Sequence, residues 1–348
     1  MTLKFKAEII ADSISEAGKR ITTFELCYPR FIHSEMMTHR VFSRNASSSR
    51  AIPFRRLIDE MISSVAMPVH WGKNQPGMQA EAEHDAEVMA IAILHASEAY
   101  GEGQPVPPES EWKYSIVQDM MSPQEAWNMA AHNASIVANR FAEAGYHKQI
   151  VNRLIEPFLF IKVVVTTTEL DNFFELRCHG AAQPEIHLIA DMMRAAYDAS
   201  EPTVMLPGEW HLPYIDVQTE ADVMDFLWKG RSHIDPPSDE EFMLALRKVS
   251  AARCARTSYM TFDGKRSTYD KDLELCEKLI GDRPLHASPF EHQATPDEQR
   301  TIRWCEVFKD GSESPFETRV EWRHPEDHRN LVGWRQSRAF FERDVLAA

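Results

Sequence analysis

Two runs near the start of the chain, Leu3 to Ile10 and Ile21 to Tyr28, are rich in apolar and β-branched residues. They read as β-strands joined by a polar Ser-Glu-Ala-Gly turn. Pro29 ends the second run, and Phe31 to Arg40 then reads as a helix with Ile32, Met36 and Met37 on one side, placing His39 and Arg40 near its end. From Ile52 to Ala144 the apolar spacing predicts mostly helix, over Leu57 to Met67, Val88 to Tyr100 and Ala126 to Phe141, with a Pro/Gly-rich break from Gly101 to Pro108. Further helices are predicted over Asp239 to Val249, Asp270 to Ile280 and Leu331 to Phe341. A strand hairpin, Thr301 to Val307 with Thr318 to Trp322, brackets the Asp310-Gly311 turn signal. No solenoid-type repeat is present.

Composition narrows the class. The 348 residues are 43% hydrophobic and 26% charged, which is ordinary for a globular chain able to bury a substantial core. A formal net charge of −15 makes the surface as a whole repel nucleic acid and anionic membrane, so any phosphate site must be local. The five cysteines are scattered without a Cys-x-x-Cys pair, which argues against a disulfide framework or a zinc finger. With no basic-then-apolar leader and no run of roughly 20 apolar residues, the expected compartment is the cytoplasm.

Candidate chemistry concentrates in Thr38 to Arg50, which crowds arginine, imidazole, amide and hydroxyl groups together with no carboxylate. Guanidinium groups match phosphate oxygens, and hydroxyls with backbone N–H groups complete such a cradle. Arg40, Arg44, Arg50, Arg55 and Arg56 form a local basic island against the acidic background, suited to a small anion. A second island, Ala255 to Tyr259, is followed by His286-Ala287-Ser288-Pro289-Phe290-Glu291-His292. Imidazole and carboxylate there invite a metal reading, but no second cluster has ligand-like spacing, and no metal is expected. Neither a Gly-x-Gly-x-x-Gly nor a Walker pattern occurs, so a Rossmann dinucleotide fold and a P-loop are both unsupported.

The first segment resembles the signature of the flavin-dependent thymidylate synthases: Arg-His-Arg, seven residues, then Ser, with an Asn and a second Arg at fixed places. His39, Arg40, Asn45, Ser48 and Arg50 keep that register, whereas Thr38 stands for the first arginine and Ala46 for the usual acidic residue. The strand, proline turn and helix from Phe24 to Glu35 also match, as do Arg153 to Pro157, Phe173 to Arg177 and Ala182 to Ile186. Both islands that line the flavin in the family precede its arginine motif; here they follow it, which implies a circular permutation.

The resemblance implies an α+β fold, a mixed β-sheet with packed helices, as a single interwoven catalytic domain over 1–348 with a helical insertion over 70–145. It implies FAD held by His39, Arg40, Asn45, Ser258, His286, Ser288 and Glu291, and a pyrimidine deoxynucleoside monophosphate held by Glu35, Ser47, Ser48, Arg50, Arg153 and Arg177. Ser48 and Arg177 would act in catalysis, Ser48 by orienting and activating the base without a serine-bound intermediate. The implied reaction is C5 methylation of a pyrimidine deoxynucleotide, most simply dUMP to dTMP, with methylenetetrahydrofolate and NADPH as co-substrates, in a homotetramer whose sites draw on several subunits. Two rivals stand beside it. The departures at Thr38 and Ala46 suit a dCMP or hydroxymethyl-transferring enzyme of viral base modification, and the arginine island alone suits a non-catalytic nucleotide- or nucleic-acid-binding protein, which the −15 charge opposes.

Overall fold

A computed structural model describes residues 5–80, 82–94, 115–232, 234–257, 267–281, 286–306, 308, 311 and 314–347. In chain order the elements are β1 (Lys6–Ser15), β2 (Arg20–Pro29), α1 (His33–Met37), β3 (Ser43–Ala46), α2 (Phe54–Ser63), β4 (Val88–Leu94), β5 (Ser115–Met121), α3 (Pro123–Glu143), α4 (Lys148–Val151), β6 (Phe160–Thr167), α5 (Asp171–Arg177) and α6 (Pro184–Ala199). There follow β7 (Thr203–Met205), α7 (Val217–Trp228), α8 (Asp239–Ala255), α9 (Tyr269–Gly281), β8 (Ala294–Pro296), β9 (Gln299–Trp304), β10 (Glu317–Trp322), β11 (Trp334–Gln336) and α10 (Ser337–Ala347).

The organising element is a mixed sheet in the order β3-β6-β2-β1-β7, antiparallel throughout except for the parallel pairing of β1 with β7. With helices packed on it, the fold is α+β, as expected. Period-two alternation gives the sheet two different faces. Phe24, Leu26 and Tyr28 of β2 and Ile161, Val163 and Val165 of β6 point to one side, where they bury against Phe173 and Phe174 of α5 and Ile186, Ile189 and Met193 of α6. Each such side chain stabilises the fold by roughly 1.5–3 kcal/mol. The opposite face carries Thr23, Thr166, Ser43 and Asn45, as the register pairs Thr23 with Thr166, Ser43 with Thr166 and Asn45 with Val164. This polar face meets the end of α8 and the segment around His292.

Three predicted elements come out differently. Val88 to Leu94 is a strand, paired antiparallel with Ser115 to Met121, so the described part of the span 70–145, expected to be a helical insertion, holds a strand pair ahead of the 21-residue α3. Val-Met-Ala-Ile-Ala-Ile-Leu is a short apolar run that fits either period, and the partner strand decides between them. The helix expected over Leu331 to Phe341 starts only at Ser337, because Trp334 to Gln336 pairs with β8. The helix expected from Phe31 to Arg40 is a 3-10 turn, Arg30–Ile32, followed by the five-residue α1. The Arg44 guanidinium closes it by donating to the carbonyls of Met36, Met37 and His39 at 3.2, 3.1 and 3.0 Å.

Candidate active site

That closure changes the reading of the basic island. Arg44 serves as a helix cap, and Arg56 pairs with Glu60 one turn on. Arg40, Arg50 and Arg55 are exposed and form no ion pair among the described residues, so the cationic character left for a ligand resides with them.

At the end of α1, His39 is buried, with its ring stacked on Phe42 and edge-on to Phe173. Arg177, in the last turn of α5, donates from Nε to His39 Nε2 at 2.9 Å and from Nη2 to Thr38 Oγ1 at 3.1 Å. Since a guanidinium always donates, His39 Nε2 must be the bare acceptor nitrogen, and the imidazole is neutral with its proton on Nδ1. Burial, followed by the nearby Arg177 and Arg44 charges, pushes its pKa down to about 4.

At the other end of β3 the three serines separate by function. Ser47 accepts from the Lys162 N–H and its carbonyl accepts from Arg30, while Ser49 donates to Glu156 and is buried. Ser48 is exposed and its hydroxyl has no partner among the described residues, so it is open to a ligand both as donor and as acceptor. Arg153 lies with Glu156 at 3.3 Å on a 63% exposed side chain. An ion pair this exposed holds the guanidinium by only about 0–1 kcal/mol.

A cleft of about 430 Å³ opens beside Ser48. Ala46, Ser47, Ser48, Ala51 and Ile52 form one wall, and Ala255, Arg256, Thr257, Leu275 and Leu279 form the other. The two walls are tied by Asn45, whose buried amide donates to the Cys254 carbonyl at 3.1 Å. Behind the second wall Asp272, fully buried, takes Arg253 at 3.0 Å and also Arg256 and Ser267, which fixes Arg256 at the cleft edge. Thr257 follows with a left-handed φ of 53°, a conformation a threonine adopts only under constraint.

The 3-10 turn Ser288–Glu291 reaches the Ser43 end of β3. Gln336 Nε2 donates to the Glu291 carbonyl at 3.2 Å and touches Ser43 Oγ at 3.4 Å, so the second island and the first segment share a neighbour across β3. The Glu291 carboxylate is engaged by Arg338, and Ser288 is exposed. The His286 N–H donates to the Leu279 carbonyl at 3.4 Å, at the α9 end that lines the cleft. Ser258 lies outside the described residues.

The structure places Ser47 and Ser48 along the cleft with Asn45 behind them, and it brings Glu291 through Gln336 to Ser43 at the opposite end of β3. Arg177, His39 and Thr38 form a second group, separated from Ser48 by the length of β3, on the order of 13 Å for four residues. Within one chain Arg177 does not line the Ser48 cleft, contrary to the expectation that both face one pyrimidine. Glu35 sits with the second group, its carbonyl accepting from Thr38 Oγ1 at 2.7 Å and its carboxylate accepting from Ser34. Sequence reasoning missed Leu275 and Leu279 as lining residues; their four-residue spacing on a helix carries no signal beyond packing.

Cys27, Cys178, Cys254 and Cys276 are held as unreactive thiols. Burial pushes Cys27 and Cys178 up to about 11, Cys276 to about 12 and Cys254 higher still. The only described grouping with metal-ligand geometry, His324 with Glu326 and Asp327, lies elsewhere, and Arg335 and Arg343 already hold the Asp327 carboxylate.

Comparison with known families decides the kinship. The family described as thymidylate synthase complementing protein, the flavin-dependent thymidylate synthases, matches residues 20–203, more than half of the chain. The chain belongs to that family. No curated protein matches it. The matched span holds the whole Thr38 to Arg50 segment together with Arg153 and Arg177, and it ends before α8. Membership makes this a thymidylate synthase-like chain of a flavin-dependent family with a nucleotide substrate. No described helix is long and apolar enough to cross a membrane.

Proposed function

We propose that the protein is an enzyme that methylates C5 of a pyrimidine deoxynucleotide, most simply converting dUMP to dTMP. Methylenetetrahydrofolate would supply the carbon and NADPH would restore the reduced flavin. The observation that carries this reading is the cleft between Ser48 and the Arg256-Thr257 wall, held together by Asn45, in a chain of the flavin-dependent family.

The residues present suit a flavin nucleotide. Exposed Arg40 and Arg50 offer uncompensated positive charge for phosphate, Ser48 offers an open hydroxyl, and the cleft volume falls within the range of sites for small ligands. FAD, when bound, supplies the redox chemistry. On this reading His39, Arg40, Asn45, Ser258, His286, Ser288 and Glu291 hold it. Ser48 orients the pyrimidine, and Arg50 and Arg177 meet the charges of the nucleotide, with Glu35, Ser47 and Arg153 contributing to the same surface.

Because Arg177 and Ser48 stand apart within one chain, joint action on one pyrimidine requires a second copy, which favours the homotetramer. The permuted order of the islands and the insertion over 70–145 belong to the same proposal. Support for the permutation comes from Asn45 and Gln336, which join segments distant in sequence.

A second reading has one specific observation behind it. Ala46 lines the cleft where the family motif carries an acidic residue, so the site could take dCMP or transfer a hydroxymethyl group. Incubation with FAD, NADPH, methylenetetrahydrofolate and either dUMP or dCMP, followed by mass spectrometry of the nucleotide, separates the two. A protein that shows no flavin absorbance after FAD addition and forms no product would instead be a nucleotide binder, and the enzyme reading would fall.

A further inference from the structure

We infer that Thr38 is a positioning residue that, together with His39, grips one edge of Arg177 and leaves its other edge for an anionic ligand. This inference rests on the nucleotide reading above for the identity of that ligand. The grip itself stands on geometry. Arg177 Nε and Nη2 share the side edge of the guanidinium, and that edge meets two neutral acceptors, His39 Nε2 at 2.9 Å and Thr38 Oγ1 at 3.1 Å. Each acceptor is itself oriented. Thr38 Oγ1 spends its proton on the Glu35 carbonyl at 2.7 Å, and the His39 ring is wedged between Phe42 and Phe173.

The choice of partners matters. A carboxylate in this position would neutralise Arg177, whereas a hydroxyl and a neutral imidazole hold it and leave the positive charge uncompensated. Arg177 makes no ion pair among the described residues. Of the five N–H donors on a guanidinium, two are used here, and the fork of Nη1 and Nη2 remains for a planar or tetrahedral anion. An arginine at position 38, as in the family motif, would set two guanidiniums against each other; Thr38 removes that repulsion and supplies an acceptor in its place. The residue that departs from the motif thus takes a role the motif does not describe.

The test uses Thr38→Val, which removes the acceptor while keeping the branched shape, and Thr38→Ser, which restores it. Thr38 is exposed, so neither change disturbs the core. In the FAD-loaded protein, titration with dUMP should give about tenfold weaker binding for Thr38→Val, and recovery for Thr38→Ser to within about threefold of the parent. FAD affinity should be the same in all three. Undiminished dUMP binding in Thr38→Val, or failure of Thr38→Ser to recover it, overturns the inference. If the parent protein binds neither FAD nor dUMP, the function reading falls, and the side-chain 15Nη2–H resonance of Arg177, the group from which Thr38 accepts, decides the grip by itself. A resonance protected from exchange in the parent and Thr38→Ser but not in Thr38→Val supports the inference, and equal protection in all three overturns it.

Discussion

Acidification should destabilise this protein well before its carboxylates titrate, because two histidines are locked neutral on the polar face of the sheet. His211 and His292 are fully buried and linked through a chain of hydroxyls. Ser13 Oγ meets His211 Nδ1 at 2.9 Å, and His211 Nε2 meets Thr23 Oγ1 at 2.7 Å. Thr23 Oγ1 meets Thr166 Oγ1 at 2.7 Å, and Thr166 Oγ1 meets His292 Nδ1 at 2.8 Å. The far nitrogen of His292 is buried without a partner, so a proton added there would have no acceptor. Burial pushes both imidazoles down to about 3; the His211 charge adds to the shift at His292, while Asp12 opposes it at His211.

The sign follows from these depressed values. Above about pH 6.5 both states are neutral at these positions, and as pH falls the unfolded chain binds protons that the folded chain refuses. Stability is therefore lost between about pH 6.5 and about 3. From about pH 7 to about pH 5 the loss is on the order of 2 kcal/mol per histidine, or roughly 4 kcal/mol for the pair. Urea unfolding midpoints at the two pH values, at fixed protein concentration and ionic strength, measure it. His292→Asn keeps a partner for Thr166 and should remove about 2 kcal/mol of that loss, and adding His211→Gln should remove about 2 kcal/mol more. A pH dependence identical in the parent and the double variant would refute the reasoning.

Arg40→Ala should weaken FAD binding by about 1.5–3 kcal/mol through loss of a charged hydrogen bond, measured by flavin fluorescence titration; an unchanged titration in the folded variant would remove Arg40 from the site. On the proposed reading Arg177→Ala should lower single-turnover product formation far more than FAD affinity, because its charge would stabilise the pyrimidine during attack at C5; the reverse pattern would reassign it to the flavin. Asp272→Ala strands the buried Arg253 guanidinium and should cost about 3–5 kcal/mol of stability, while a thermal midpoint near that of the parent would show that water reaches that guanidinium.

The chain by itself determined much of this. The alternation in β2, the carboxylate-free segment from Thr38 to Arg50 and its serine register were all legible, because strand period and motif spacing are local properties. The family kinship followed from the same residues. Local pattern could not decide Val88 to Leu94 or Trp334 to Gln336, since a short apolar run becomes a strand only when a distant partner offers a ladder, as Ser115 to Met121 and Ala294 to Pro296 do. Nor could it tell which polar groups were already spent. Arg44, Arg56 and Ser49 look as available in the sequence as Arg40, Arg50 and Ser48, yet carbonyls and carboxylates brought in by the fold occupy the first three and leave the second three open. The Asn45 bridge, the Asp272 anchor and the separation of Arg177 from Ser48 exist only in three dimensions, because each depends on which segments the sheet places side by side.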